Sequence, residues 1–131
     1  MTRINVVPVG ELCDQHLLAE FRELTRIPNG LLSGKLEPHY PDAPKEYTLG
    51  KGHVKFFVNK LSWLSERYSA LFDECWNRGF KVKYIWPVYE KALLIPDKCW
   101  NDYTPTHEAL ALNRARILER MPAKPRFTKY N

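Results

Sequence analysis

The chain has 131 residues, of which 44% are hydrophobic and 27% are charged, values typical of a soluble globular protein. This length gives room for one compact domain, and no apolar run approaches the roughly 18 residues that a membrane helix requires. The three cysteines form no C-x-x-C pair, which argues against a disulfide framework and a cysteine-based zinc site. We therefore expect one domain spanning residues 1–131, in a reducing cytoplasm and without a membrane partner.

The first strongly periodic segment runs from about residue 11 to residue 26. Leu17, Phe21 and Leu24 recur at the spacing of one helical face. Pro28-Asn29-Gly30 is expected to end this helix, because proline cannot continue the hydrogen-bond ladder. Residues 27–50 are rich in proline and glycine and predict an irregular loop.

Two further helical regions follow. One is predicted from about residue 53 to residue 78; it can break near residues 59–62 and has Gly79 as its C-terminal cap. The last is predicted to begin with Thr104 as cap and Pro105 at the first position, and to close at Pro122. Its predicted core side consists of Ala109, Leu112, Ala115, Ile117 and Leu118.

Residues 80–101 contain two prolines and no clean periodicity, so they predict a long connection with one short helical turn. Together the elements predict an all-α fold, a single compact domain of about three main helices with long ordered loops.

The positive charge is concentrated at one end of the sequence. The net charge is +5, and residues 113–131 contain six basic residues against one acid. The rest of the chain carries equal numbers of basic and acidic side chains. A neutral body with a basic end favours nucleic acid as the partner; a merely solvated basic tail is the alternative.

Polar residues of the first helix form two neighbouring stripes. On an ideal helix one stripe consists of His16, Glu20 and Glu23, and the adjacent one of Gln15, Arg22 and Arg26. A solvated helix face with ordinary ion pairs explains this composition. A metal site on the first stripe lacks a closing ligand in the sequence. The templates G-x-S-x-G, P-loop and H-E-x-x-H are also absent, so the residues alone indicate a helical, nucleic-acid-binding protein.

Two sequence blocks carry a resemblance to a known family. The chain opens with Met1-Thr2-Arg3-Ile4-Asn5, followed over residues 12–26 by L-x-D-Q-H-L-L-A-E-x-R-E-L-x-R. The second block is L-G-x-G-H-V-x-F-F over residues 49–57, followed by the helix end at Arg78-Gly79-Phe80. The sequence resembles the pyrimidine-dimer DNA glycosylases, the phage endonuclease V family, over residues 2–26, about 47–80 and 103–130.

The resemblance implies an enzyme that excises pyrimidine dimers from ultraviolet-damaged double-stranded DNA and then cuts the abasic strand, as a monomer and with no metal or cofactor. It implies that the nucleophile is the α-amine of Thr2, exposed when the initiator methionine is removed. A model α-amine has a pKa of about 7.7–8.0, so part of it is unprotonated at neutral pH and can form a Schiff base. Glu23 matches the catalytic carboxylate, whose implied roles are to stabilise the cationic sugar and to move protons.

The resemblance also implies a set of DNA contacts. Arg22 and Arg26 match residues that hold phosphates beside the lesion, and Gln15 lies on the same surface. The remaining implied contacts are Arg3, His16, Arg116, Arg120, Lys129 and Tyr130.

Three departures affect the expected specificity. Thr25 replaces a usual proline, Phe127-Thr128 replaces a tryptophan-tyrosine pair, and residues 27–48 are rewritten. The alternatives are the same lyase chemistry on another modified base or on abasic sites only, or a catalytically silent DNA-binding module.

Overall fold

The computed structural model describes residues 3–87 and 89–129, apart from the side chain of Tyr89. These residues form helices and loops, with no sheet among them. The α-helices are α1 (Asp14–Leu24), α2 (Arg26–Ser33), α3 (His53–Phe57), α4 (Leu61–Asn77), α5 (Tyr89–Ala92) and α6 (His107–Glu119), with 3₁₀ turns at Val9–Glu11 and Asp97–Cys99. The longest three are α1, α4 and α6, so the predicted all-α domain with about three main helices is confirmed. No helix of the described residues is both long and apolar enough to cross a membrane.

The packing of α1 against α4 forms the centre of the core. The predicted apolar face of α1 is buried as expected, and the ring of Phe21 stacks on that of Tyr68 at 4.7 Å between centroids. Leu64 and Leu71 extend the apolar face of α4 and are fully buried. Burial of each such side chain contributes about 1.5–3 kcal/mol to folding, so this contact fixes the orientation of α1.

The prediction that Pro28-Asn29-Gly30 ends the first helix is wrong. Helix α1 ends at Leu24, and these three residues lie inside α2. Pro28 is the third residue of α2, in a first turn whose N–H groups need no helical partner. Gly30 lets the side chain of Leu36 pack closely against the helix, since a Cβ there would lie 2.7 Å from Leu36 Cδ1 and displace it. The predicted loop therefore begins only after Ser33.

The second helical region breaks as predicted, into α3 and α4 on either side of residues 58–60. Gly79 caps α4 with φ of 92°. Its N–H donates to Trp76 O at 3.0 Å, and the N–H of Phe80 donates to Cys75 O at 2.8 Å, which together form a Schellman motif. The predicted C-terminal cap is confirmed.

The start and the buried face of α6 differ from the prediction. Thr106, not Thr104, is the cap, because its Oγ1 accepts the N–H of Ala109 at 3.0 Å. Ala109 and Asn113 are buried, whereas Leu112 and Leu118 are 43% and 73% exposed. The predicted core side is wrong at Leu112, Ala115 and Leu118 because the helix turns a polar amide toward the protein interior, and hydropathy alone assigns that amide to the surface.

Candidate active site

The N-terminal segment, residues 3–7, lies among the helices without joining a sheet, and side chains satisfy its backbone. Asn113 Oδ1 accepts the N–H groups of Val6 and Val7 at 2.7 and 3.1 Å. The N–H of Ile4 donates to His53 Nε2 at 2.9 Å, and the hydroxyl of Tyr47 donates to Ile4 O at 2.9 Å. A buried backbone needs such partners, so these side chains determine where the segment lies.

A buried ion pair lies beneath this segment. Arg67 donates from Nε and Nη2 to the two carboxylate oxygens of Glu20 at 2.8 and 2.9 Å, and from Nη1 to Val7 O. Asn5 Nδ2 donates to Glu20 Oε1 at 2.8 Å and Asn113 Nδ2 donates to Asn5 Oδ1 at 2.8 Å. Glu20 is 1% exposed. Both carboxylate oxygens of Glu20 therefore accept hydrogen bonds within the protein. This disfavours Glu20 as a ligand in the alternative metal site on the stripe of His16, Glu20 and Glu23.

A cleft of about 190 Å³ opens between the N-terminal segment, α1 and α6. Its lining residues are Arg3, Asn5, His16, Ala19, Glu20, Glu23, Arg116, Ile117 and Arg120. Side chains from both ends of the sequence thus meet at one place. The cleft contains five of the predicted site residues: Arg3, His16, Glu23, Arg116 and Arg120.

Glu23 lies directly beside the beginning of the described chain. Its Oε2 accepts the backbone N–H of Arg3 at 3.1 Å. His16 lies about two helical turns before Glu23 on the same stripe. Its Nε2 is 3.1 Å from the carbonyl oxygen of Arg120. The carboxylate of Glu23 therefore faces the cleft beside Arg3, where the described chain begins.

Positive charge is concentrated around this carboxylate. Burial lowers the pKa of Arg3, and the nearby charges of Arg116 and Arg120 lower it further. Arg116 also lies 3.5 Å from the exposed carboxylate of Glu119. Three guanidinium groups that repel one another favour an anionic ligand, and guanidinium geometry suits phosphate.

The second predicted stripe of α1 is not part of the cleft. Arg22 is exposed on α1, and Arg26 is the first residue of α2, where it borders a different depression. Gln15 contacts the C-terminal tail: its Nε2 donates to Lys124 O at 2.8 Å, and its Oε1 accepts the N–H of Arg126 at 3.1 Å. The Gln15 amide thus links α1 to the C-terminal tail, and its contact with DNA stays a prediction.

The basic tail is docked on the start of α1. The N–H of Asp14 donates to Arg126 O at 2.7 Å, while the Asp14 carboxylate accepts the N–H and hydroxyl of Thr128 and the guanidinium of Arg78. Burial opposes the ionised form of Asp14, but the hydrogen bonds from Thr128 and Arg78 outweigh it and lower its pKa. The side chain of Lys129 is exposed. The tail is therefore fixed by its backbone, with basic side chains directed to solvent.

The remaining predicted residues, Thr2 and Tyr130, lie outside the described residues. Among those that are described, no cluster of three or more His, Cys, Asp or Glu side chains is placed to hold a metal ion. Three residues that support the site were not predicted from the sequence: Asn113, Tyr47 and His53. Asn113 could have been found from its position between Ala109 and Ile117 at four-residue spacing, where a polar residue on the buried stripe needs a partner.

Residues 1–88 match the model of a protein family described as pyrimidine dimer DNA glycosylase. This is about two thirds of the chain, and it contains the N-terminal segment and helices α1 to α4. Helix α6, which supplies Arg116 and Arg120 to the cleft, lies beyond the matched residues. The chain belongs to the pyrimidine dimer DNA glycosylases, enzymes that act on damaged DNA.

Proposed function

We propose that this glycosylase is bifunctional: it excises pyrimidine dimers from duplex DNA and then cleaves the abasic strand through a Schiff base on the α-amine of Thr2. The observation that carries the proposal is the hydrogen bond from the Arg3 N–H to Glu23 Oε2 at 3.1 Å. Only three covalent bonds join the α-nitrogen of residue 2 to that amide nitrogen. The Glu23 carboxylate, which is bonded to the Arg3 amide, is therefore within reach of a sugar attached to the α-nitrogen of residue 2.

The chemistry proceeds in two stages. The unprotonated amine attacks C1′ of the damaged nucleotide, the bond from C1′ to the base breaks, and the base leaves with the bonding electrons and takes up a proton. The attached amine then loses one proton, the C1′–O4′ bond of the sugar breaks while O4′ takes up a proton, and an iminium that keeps one N–H forms at C1′. Glu23 stabilises this cation by its negative charge. Removal of a C2′ proton then expels the 3′ phosphate by β-elimination, and water hydrolyses the imine to release the enzyme.

The three arginines of the cleft have a separate role. Arg3, Arg116 and Arg120 surround Glu23 with positive charge, and we assign them to the phosphates on either side of the lesion. Because they come from the N-terminal segment and from α6, the DNA would be held from two sides of the reacting sugar. Arg22, Arg26 and the tail residues do not line the cleft; we assign Arg22 and Arg26 to phosphates beside the lesion and the tail to the flanking duplex.

We also propose that the enzyme acts as a monomer in a reducing compartment. The three cysteines are buried free thiols, which is consistent with a reducing compartment. Light scattering at the concentration of the activity assay, with and without a DNA duplex, measures the oligomeric state directly. A dimer whose dissociation abolishes cleavage would contradict the proposal.

The nucleophile is tested by borohydride reduction of the enzyme on abasic-site DNA, followed by peptide mapping of the covalent adduct. We expect the DNA to be attached to residue 2 of the processed chain. An adduct on a lysine would refute the assignment. A parallel assay on ultraviolet-irradiated duplex distinguishes dimer excision from action on abasic sites only.

Glu23 is tested by Glu23→Gln, which keeps the size of the side chain and removes its charge. We expect cleavage to fall by about 10² or more, the usual cost of losing such a transition-state contact, while lesion binding changes little. Glu66→Gln is the matched control, because Glu66 is an exposed helical glutamate of α4. Cleavage by Glu23→Gln at the rate of the control would show that Glu23 is a solvated helix residue.

A further inference from the structure

Ile4, two residues after Thr2, is held on both sides of its backbone by Tyr47 and His53. We propose that these two side chains are positioning residues for the reaction, which fix the register of the N-terminal segment so that the Thr2 amine meets the sugar beside Glu23. The inference rests on the function proposed above, because it concerns the delivery of that amine.

The hydrogen bonds determine the state of the imidazole. His53 Nε2 accepts the N–H of Ile4 at 2.9 Å, and His53 Nδ1 lies 2.8 Å from the carbonyl oxygen of Thr48. A backbone N–H can only donate and a carbonyl can only accept, so the ring is neutral with its proton on Nδ1. The imidazole therefore links the N-terminal segment to the loop before α3 in one orientation.

Tyr47 holds the backbone of Ile4 from the other side, and Tyr47 and His53 together are called the clamp below. Its hydroxyl donates to Ile4 O at 2.9 Å, and its ring lies edge-on to His53 with 5.7 Å between centroids. The same ring packs edge-on against Phe56 and Phe57 at 6.1 and 5.9 Å. The side chain of Ile4 is fully buried. Neither the backbone nor the side chain of this residue can shift without breaking buried contacts.

The local backbone explains why the sequence needs two glycines before this histidine. Gly50 and Gly52 have φ of 83° and 90°, a region that other residues rarely adopt. A Cβ on Gly52 would also lie 2.9 Å from Pro44 Cγ. The turn they form starts α3 at His53 and directs the imidazole inward. The G-x-G-H block thus supports the N-terminal segment through His53.

The clamp acts close to the reacting groups. Arg3, whose N–H is bonded to Glu23, is the neighbour of Ile4, so a displacement of Ile4 moves the amine relative to the carboxylate. A misplacement of about 1 Å can lower a rate about 10²-fold even when the altered residue does not touch the substrate. Positioning of this kind affects the chemical step and leaves binding to the arginines intact.

The test is Tyr47→Phe, which removes one hydroxyl and leaves the ring in place. We expect the single-turnover cleavage rate on abasic-site duplex to fall by roughly 10- to 100-fold, with borohydride trapping slowed equally. The Kd for an undamaged duplex should stay within about twofold, and the pH profile should keep its midpoint because the amine itself is unchanged. His53→Gln, which retains a donor and an acceptor, should be less impaired than His53→Leu.

Tyr68→Phe is the matched control, because its buried hydroxyl accepts the N–H of Ile85 at 3.1 Å and lies away from the N-terminal segment. Both tyrosine variants should lower Tm similarly, by about 3–6 °C, but only Tyr47→Phe should slow cleavage. Parental rates in Tyr47→Phe, or equal losses in both variants, would overturn the positioning role. If Tyr47→Phe fails in this way while the adduct of the parent maps to residue 2, the positioning role alone is refuted. If the adduct of the parent maps to another residue, the proposed function is refuted as well.

Discussion

Removing two guanidinium groups from the cleft, by Arg116→Ala together with Arg120→Ala, should make DNA binding less sensitive to salt. Each phosphate that a protein neutralises contributes about −0.9 to the slope of log K against log salt concentration. Both residues line the cleft beside Glu23, so both are placed to contact phosphates. We expect the slope to flatten by about 1.8.

The structure supplies a control with the same change in charge as Arg120→Ala alone. Arg114 also belongs to the basic end of the sequence, but it donates from Nε and Nη2 to the two oxygens of Glu11 at 2.9 and 2.8 Å and does not line the cleft. An arginine held by two short hydrogen bonds to a carboxylate is poorly placed to neutralise a phosphate as well, whereas the 3.5 Å pair of Arg116 with the exposed Glu119 leaves Arg116 able to do so. Arg114→Ala should therefore leave the slope near that of the parent, whereas Arg120→Ala alone should flatten it by about 0.9.

Fluorescence anisotropy with a labelled undamaged duplex, titrated at several salt concentrations, measures these slopes. Between about 50 and 200 mM salt, a difference of 1.8 corresponds to a loss of affinity about 12-fold smaller in the double variant than in the parent. If the double variant keeps the parental slope, the arginines of the cleft do not contact phosphates. If Arg114→Ala flattens the slope as much as Arg120→Ala, net charge alone governs binding and the cleft has no special part in it.

Three further outcomes follow from the buried and exposed charges. Arg67→Met leaves the buried carboxylate of Glu20 without its cation and should lower the free energy of unfolding by about 3–5 kcal/mol in urea titrations; a loss below about 1 kcal/mol would contradict this. Burial lowers the pKa of His53 from 6.5, so its contribution to stability is complete above pH 6.5 and is lost as the pH falls toward the lower folded value; parallel pH curves for the parent and His53→Gln would refute it. Arg22→Ala with Arg26→Ala should reduce the preference for lesion-bearing over undamaged duplex, measured as a ratio of Kd values, and an unchanged ratio would count against a role for either residue.

The apolar face of α1 and its first polar stripe could be predicted because both depend only on helical periodicity. Leu17, Phe21 and Leu24 are buried, and His16 and Glu23 reach the same cleft. Periodicity could not show that Glu20, on that stripe, points to a buried arginine rather than to solvent. That outcome depends on Arg67 in another helix, which local spacing does not report.

The errors of prediction have a common physical origin in α6 and α2. Asn113 is fully buried because two backbone N–H groups of the N-terminal segment donate to it, and a hydropathy pattern places an asparagine outside. Pro28 stands inside α2 because the chain interrupts its helix at Thr25 and starts a new first turn. The burial of Asn113 depends on the position of the N-terminal segment, and the helical position of Pro28 depends on the start of α2 at Arg26. The local hydropathy pattern reports neither.

The N-terminal segment, residues 3–7, is supported differently from a strand in a sheet. A strand in a sheet is held by a ladder of equivalent bonds, which permits slippage in steps of the repeat. Here the backbone groups of residues 3–7 that are described above have five different partners, Glu23, His53, Tyr47, Arg67 and Asn113, and Asn113 accepts two neighbouring N–H groups. Partners that differ in length and chemistry cannot be exchanged by a shift of one residue. The register of the segment is therefore unique, and any change that loosens it should be detected first in the chemistry at the terminus and only later in global unfolding.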